Sequence, residues 1–210
     1  MGTSAFDSTI SRIKQGLNTS LPGFEAQNRM APSFRGGSPF RTQPDSTTGK
    51  SAVLIGIYPQ QHEPTTILIK RTTYNGAHSG QVSFPGGKYE KSDESLTATA
   101  LREAYEEVGL PPSTVKVIGN LTPLFIPVTN LLVQPVVGVI SKPPALLINK
   151  EEVEYPIFVN LMDLKNPGSC SYNQENKLYK YTKQIVQVFF IHLTFCSGTL
   201  YLCNRSCGRC

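Results

Sequence analysis

The chain has 210 residues, of which 39% are hydrophobic and 17% charged, with a formal net charge of +5. That length suits one globular domain with a proper core plus additional arms, and the composition indicates neither a disordered chain nor a membrane protein. The mild positive charge favours an anionic ligand, but without a Lys/Arg run it gives little support for nucleic-acid binding.

The start, "MGTSAFDSTISRIKQGLN", lacks the apolar core of a secretory signal, and no apolar run approaches the roughly 18 residues of a spanning helix. A cytoplasmic protein with no membrane partner is therefore expected. Phe6, Ile10, Ile13 and Leu17 fall at helical spacing and predict a short amphipathic helix docked on the body. Residues 19–50, rich in Pro, Gly, Ser and Thr, read as an extended arm or long loop.

From Ser51 the texture changes. "SAVLIGIY" (51–58) and "TTILIKR" (65–71) are buried-strand patterns, and the turn chemistry of "PQQHEP" between them predicts a hairpin. "VKVIGNL" (115–121) and "VQPVVGVI" (133–140) are further strand candidates. "FVNLMDLKN" (158–166) reads as the start of a short helix, and "KLYKYTKQIVQVFF" (177–190) as two strands or one bent one. Strands with one well-marked helix among them predict a mixed sheet flanked by helices.

That helix is the informative element. Ser92 and Asp93 are good N-caps, Gly109 is a good left-handed stop, and no Pro or Gly intervenes, so a helix is predicted over about 94–108. At about 100° per residue, Thr97, Leu101, Ala104 and Val108 form one stripe with Tyr105 on its edge. Glu103, Glu106 and Glu107 lie on the opposite face, with Arg102 between the two. Like charges at these spacings repel, and the helix dipole resists them at this end. No Lys or Arg inside the helix is placed to neutralise all three, whereas a bound divalent cation would be, and oxygen ligands select a hard one, Mg²⁺ or Mn²⁺. Upstream, Gly86 and Gly87 follow Pro85 and predict a sharp turn that lets a carbonyl, that of Gly87, face the cation.

These residues carry a resemblance. "GGKYEKSDESLTATALREAYEEVGL" resembles the Nudix box, whose core is Arg-Glu-x-x-Glu-Glu-x-Gly after a glycine turn and an upstream Glu; Gly87, Glu94, Arg102, Glu103, Glu106, Glu107 and Gly109 match. The resemblance implies an α/β (α+β) fold, an α/β/α sandwich with a mixed central sheet. It further implies hydrolysis of a nucleoside diphosphate linked to another moiety. By that analogy Glu103, Glu106 and Glu107 are metal ligands, and Arg102 pairs with Glu94 to hold the ligand face in register. The spacing from Gly87 to Arg102 is one residue longer than the general pattern, which leaves Asp93 open beside Glu94 as the partner.

"ILIKRTTYNGAHSGQVSFPGGK" (67–88) is similar to the motif of the coenzyme A pyrophosphatase branch, through Arg71, Gly80, Phe84, Pro85, Gly86 and Gly87. "LPGFEAQNRMAPSFR" and "VTNLLVQPVVGVI" are similar to the branch as well, so that the resemblance covers about residues 8–165. Where the branch often has a second Arg, five residues after the first, this chain has Gly76. Arg71, His78 and Gly80 are the candidate substrate contacts, with Lys70 turned away by strand alternation. On this reading the glutamate face carries two or more Mg²⁺ ions, and water attack on the diphosphate gives 3′,5′-ADP and 4′-phosphopantetheine. The proton acceptor is Glu106, Glu107 or a Glu of the loop "NKEEVEYP", among which Glu152 is chosen over Glu151 and Glu154.

The expected partner is thus a small molecule, coenzyme A or a related nucleotide, with no nucleic acid and with room for a homodimer. A different Nudix substrate such as ADP-ribose is the nearest alternative. A binding module without turnover is the other, and the full glutamate set argues against it. The expected organisation is 1–50 helix and arm, 51–190 Nudix domain, and 191–210 an atypical Cys-rich tail. Four of the five cysteines crowd that tail (Cys196, Cys203, Cys207, Cys210) in a spacing that matches no trusted zinc pattern. Members of the resembled branch usually end in a Trp-Gly-containing helix and this chain has no Trp, so an anomalous terminus is expected there.

Overall fold

A computed structural model of the protein describes residues 4–19, 21, 23, 27, 43–73 and 80–162. His78, most of the arm, the 177–190 segment and the cysteine-rich tail lie outside the described residues.

Helix α1 (Ala5–Leu17) opens the chain, with the Ser4 hydroxyl accepting from the Asp7 N–H at 3.1 Å. Strands β1 (Gly49–Gln60) and β2 (Glu63–Arg71) form the expected hairpin. The turn is only Gln61 and His62, with φ of 51° and 68°, the left-handed pair that a two-residue hairpin loop of matching twist requires. Short strands β3 (Val82–Ser83) and β4 (Gly86–Lys88) follow, and then helix α2 (Leu96–Val108). Beyond a 3₁₀ turn at Pro112–Thr114 come β5 (Val115–Asn120), β6 (Leu124–Ile126), β7 (Leu131–Ile140) and β8 (Val153–Asn160).

The eight strands of the described residues join one mixed sheet. Its centre is the parallel pair β1 and β7, in register from Gly49–Leu131 to Ile57–Val139. β2 and β4 lie antiparallel to β1, β5 and β6 pair with β7, and β8 pairs with β2. The 158–160 part of the segment expected to start a helix is instead the end of β8; the aromatic Phe158 and β-branched Val159 there pair with Ile67 and Thr66.

Alternation along the strands divides the core in two. Ile55, Ile57, Leu68 and Val137 face one side, where they pack with Phe6, Ile10 and Ile13 of α1. Leu54, Tyr58, Ile67, Ile69, Val136 and Ile140 face the other, against Ala100, Ala104 and Val108 of α2. Helix, sheet, helix: the α/β/α sandwich is the observed fold.

The start of α2 differs from the sequence expectation. Its N-cap is Ser95, whose Oγ accepts from the Ala98 N–H at 3.1 Å, and not Ser92 or Asp93. Gly109 ends the helix at φ 68°, ψ 24°, as expected. The buried face comprises Thr99, Ala100, Ala104, Glu107 and Val108, whereas Thr97 and Leu101 are only partly covered. The stripe is rotated toward Glu107 because β4 packs on that side of the helix.

Candidate active site

The three glutamates do not share one solvated face. Glu107 is fully buried, Glu103 is 14% exposed and Glu106 is 48% exposed. The Gly86 N–H donates to Glu107 Oε2 at 2.8 Å, and Arg71 Nη2 lies 2.7 Å from Oε1. The Arg71 contact is an ion pair without hydrogen-bond alignment, so that Oε1 is a buried carboxylate oxygen with no hydrogen-bond donor. Burial pushes the Glu107 carboxyl up to about 7, against the opposing pull of Arg71 and the Gly86 N–H, with the Glu103 and Glu152 charges adding to the rise. Burial likewise raises the Glu103 carboxyl, opposed by Arg102.

Gly86 and Gly87 are not in a turn; they form strand β4 beside Val53 and Ala52 of β1. Glycine is required there by close approach. A Cβ on Gly86 would sit 2.6 Å from the Val53 Cα and overlap the Ala52 carbonyl, and one on Gly87 would overlap the Glu103 carboxylate. The backbone of Gly87 therefore lies directly against Glu103, which brings two of the expected ligands together.

Arg102 organises the outer half of the site. Its Nε and Nη2 form a two-pronged pair with Asp93 at 2.9 and 3.0 Å, while Nη1 donates to Glu103 at 3.1 Å and to Glu106 at 2.9 Å. Nη2 also reaches the Lys88 carbonyl at 3.1 Å. The partner is thus Asp93; Glu94, expected in that role, is exposed to solvent. The Glu90 N–H and Thr99 Oγ1 both donate to Asp93 Oδ2, which folds Asp93 under the helix start and leaves Glu94 outside. The Arg102 pairing holds the Asp93 carboxyl well below the usual carboxylate range.

The helix end is also less hostile to acids than its sequence implies. The Asn149 and Leu147 N–H groups donate to the Glu107 and Val108 carbonyls at 3.0 and 2.9 Å, covering two of the orphan acceptors. That loop is anchored on its other side by Thr72, whose N–H donates to the Glu152 carbonyl at 3.0 Å and whose hydroxyl donates to that of Glu151 at 2.9 Å. Glu152 is exposed, accepts from Asn149 Nδ2 at 3.3 Å, and its charge is felt at Glu107. Nothing in the local sequence flagged Thr72 or Asn149, since each acts through a contact distant in the chain.

Two candidate substrate contacts take other positions. Arg71 is turned onto Glu107 and the Gly86 carbonyl, with its side chain 19% exposed. Gly80, at φ 64°, donates from its N–H to the Thr72 carbonyl, and its own carbonyl accepts from Lys70 Nζ.

The donor set suits a hard cation: it is all oxygen, one buried oxygen lacks a donor, and carboxylates outnumber guanidinium groups around α2. Among the described residues no three acidic, His or Cys side chains converge on one point as they stand. Arg102 stands between Glu103 and Glu106, and Arg71 against Glu107.

This sheet, helix and glutamate set define a Nudix-type domain, and the comparisons agree. The NUDIX domain family model matches residues 47–167, more than half of the chain, and the chain belongs to the Nudix family. It is 48% identical over 105 residues to the uncharacterised Nudix hydrolase NudL of Escherichia coli (strain SMS-3-5 / SECEC), a match over 50% of this chain and 53% of that protein. NudL of Enterobacter sp. (strain 638) is 46% identical over the same shares. The chain spans about half the length of the curated relatives it matches. Among solved structures, the Caenorhabditis elegans Ap4A hydrolase binary complex superposes with a TM-score of 0.53 at 15% identity, covering 72% of this chain and all of that one, a likeness of fold. No helix among the described residues is long and apolar enough to cross a membrane.

Proposed function

We propose that the protein is a divalent-cation-dependent pyrophosphohydrolase that cleaves the diphosphate of coenzyme A or acyl-CoA to 3′,5′-ADP and 4′-phosphopantetheine. The observation that carries the reading is the buried Glu107 carboxylate beside Glu103 and the Gly86–Gly87 strand, held with one oxygen lacking a hydrogen-bond donor. The similarity of residues 67–88 to the coenzyme A branch supplies the substrate.

Glu103, Glu106, Glu107 and the Gly87 backbone are the groups that would hold Mg²⁺ or Mn²⁺. When bound, such an ion neutralises diphosphate oxygens and acidifies water. The protein's own part is positional. Arg102 keeps Glu103 and Glu106 on a common side of α2, and the Gly86 N–H fixes the Glu107 carboxylate. Glu152, exposed on the loop that Thr72 anchors, accepts the proton of the attacking water. His78 is the remaining proposed substrate contact. Rates for coenzyme A, acyl-CoA, ADP-ribose and NADH, each with Mg²⁺ and Mn²⁺, test the reading; coenzyme A or acyl-CoA is expected to have the highest kcat/KM, and a preference for ADP-ribose would sink the substrate assignment.

A further inference from the structure

We infer that Arg71 is a positioning residue for the cation site and not a contact to substrate phosphate, an inference that rests on the reading of Gly87, Glu103, Glu106 and Glu107 as that site. Sequence places Arg71 at a strand end, where it reads naturally as a free anion-binding group. In the fold its guanidinium is spent inward. Nη2 meets Glu107 Oε1 at 2.7 Å and also donates to the Gly86 carbonyl, while the Gly86 N–H donates to the other oxygen of the same carboxylate. Arg71, Gly86 and Glu107 thus close a three-member ring of contacts joining β2, β4 and α2.

The ring has two consequences. The first is charge: Glu107 is fully buried, and Arg71 is the cation beside it. Removing a charged group from water is costly unless an opposite charge stands beside it, and Arg71 places one there. The second is orientation. With Oε2 tied to a backbone N–H and Oε1 flanked by Arg71 without an aligned N–H, the carboxylate plane is fixed while Oε1 retains acceptor capacity for a cation. Because the same guanidinium also holds the Gly86 carbonyl, it fixes the position of the next peptide, that of Gly87, against Glu103. A single side chain therefore sets two of the proposed ligands.

Partners of metal ligands typically govern affinity by about 10–100-fold. The experiment is a titration of the metal alone, Mn²⁺ followed by electron paramagnetic resonance, on wild type, Arg71→Lys and Arg71→Gln, with folding checked by circular dichroism. KM for coenzyme A is then measured at saturating Mn²⁺. Expected is a loss of Mn²⁺ affinity of about 10–100-fold in Arg71→Gln, a smaller loss in Arg71→Lys, which keeps the charge as a point donor, and KM within about twofold of wild type. If Arg71→Gln does not fold, Arg71→Lys carries the test. Unchanged Mn²⁺ affinity with a raised KM would overturn the inference and return Arg71 to the substrate. The Mn²⁺ titration needs no substrate, so it decides the role of Arg71 whichever diphosphate is hydrolysed; wild-type protein that binds no Mn²⁺ would overturn both this inference and the cation site beneath it.

Discussion

Arg102 holds Asp93 through a two-pronged pair, Nε to Oδ1 at 2.9 Å and Nη2 to Oδ2 at 3.0 Å, while the neighbouring Glu94 faces solvent. Such forked pairs are geometrically demanding and strong. Asp93→Asn is expected to cost about 2 kcal/mol of stability in urea denaturation, whereas Glu94→Gln stays within about 0.5 kcal/mol, as surface changes do.

The same pair sets a pH dependence. Because Arg102 lowers the Asp93 carboxyl in the folded protein, its stabilisation is fully present above the unfolded value of about 3.9 and is lost as pH falls toward the folded one. The stability gap between wild type and Asp93→Asn is therefore constant from pH 5 to 7 and narrows below about pH 4. A gap that widens on acidification would contradict the assignment.

Gly86 and Gly87 separate stability from site geometry. Gly86→Ala drives a methyl into the backbone of β1, which cannot yield, and is expected to destabilise by roughly 3 kcal/mol. Gly87→Ala meets the end of the Glu103 side chain, which can swing aside. Its melting temperature should stay near wild type while Mn²⁺ affinity falls by about tenfold.

Glu152 and Thr72 test the proton acceptor. Glu152→Gln is expected to lower kcat by about 100-fold or more with Mn²⁺ affinity unchanged. Thr72→Val, which removes the hydroxyl bonded to the Glu151 carbonyl, should lower kcat by less than Glu152→Gln does. Equal activity in Glu152→Gln would move the role to another group.

Helix α1 is part of the core and not an appendage, since Phe6, Ile10 and Ile13 pack with Ile55, Ile57 and Leu68. Ile13→Ala should cost about 3 kcal/mol in denaturant unfolding.

Much of this was legible in the sequence where local pattern and tertiary need coincide. The β1–β2 hairpin, the glutamate helix and its Gly109 stop all follow from periodicity and turn chemistry. Elsewhere the decisive cause was distant. "YEKSDES" offers several residues able to cap a helix, and only the burial of Asp93 beneath Arg102 and Thr99 leaves Ser95 to do it. Gly86 and Gly87 read as a turn because glycine weakens strands, yet the β1 backbone and Glu103 demand the missing side chains. Strand β8 was hidden because Glu154 and Pro156 interrupt its pattern and it pairs with β2 from far along the chain. The inward turn of Arg71 had no local signal at all.

Hydrolysis of coenzyme A in Mg²⁺ by wild type and by Glu107→Gln, with products identified by mass spectrometry, is the most direct test. The account predicts 3′,5′-ADP and 4′-phosphopantetheine from the wild type and a rate lower by about 100-fold in the variant. Equal rates for the two proteins, or no cleavage of the diphosphate by the wild type, would contradict it.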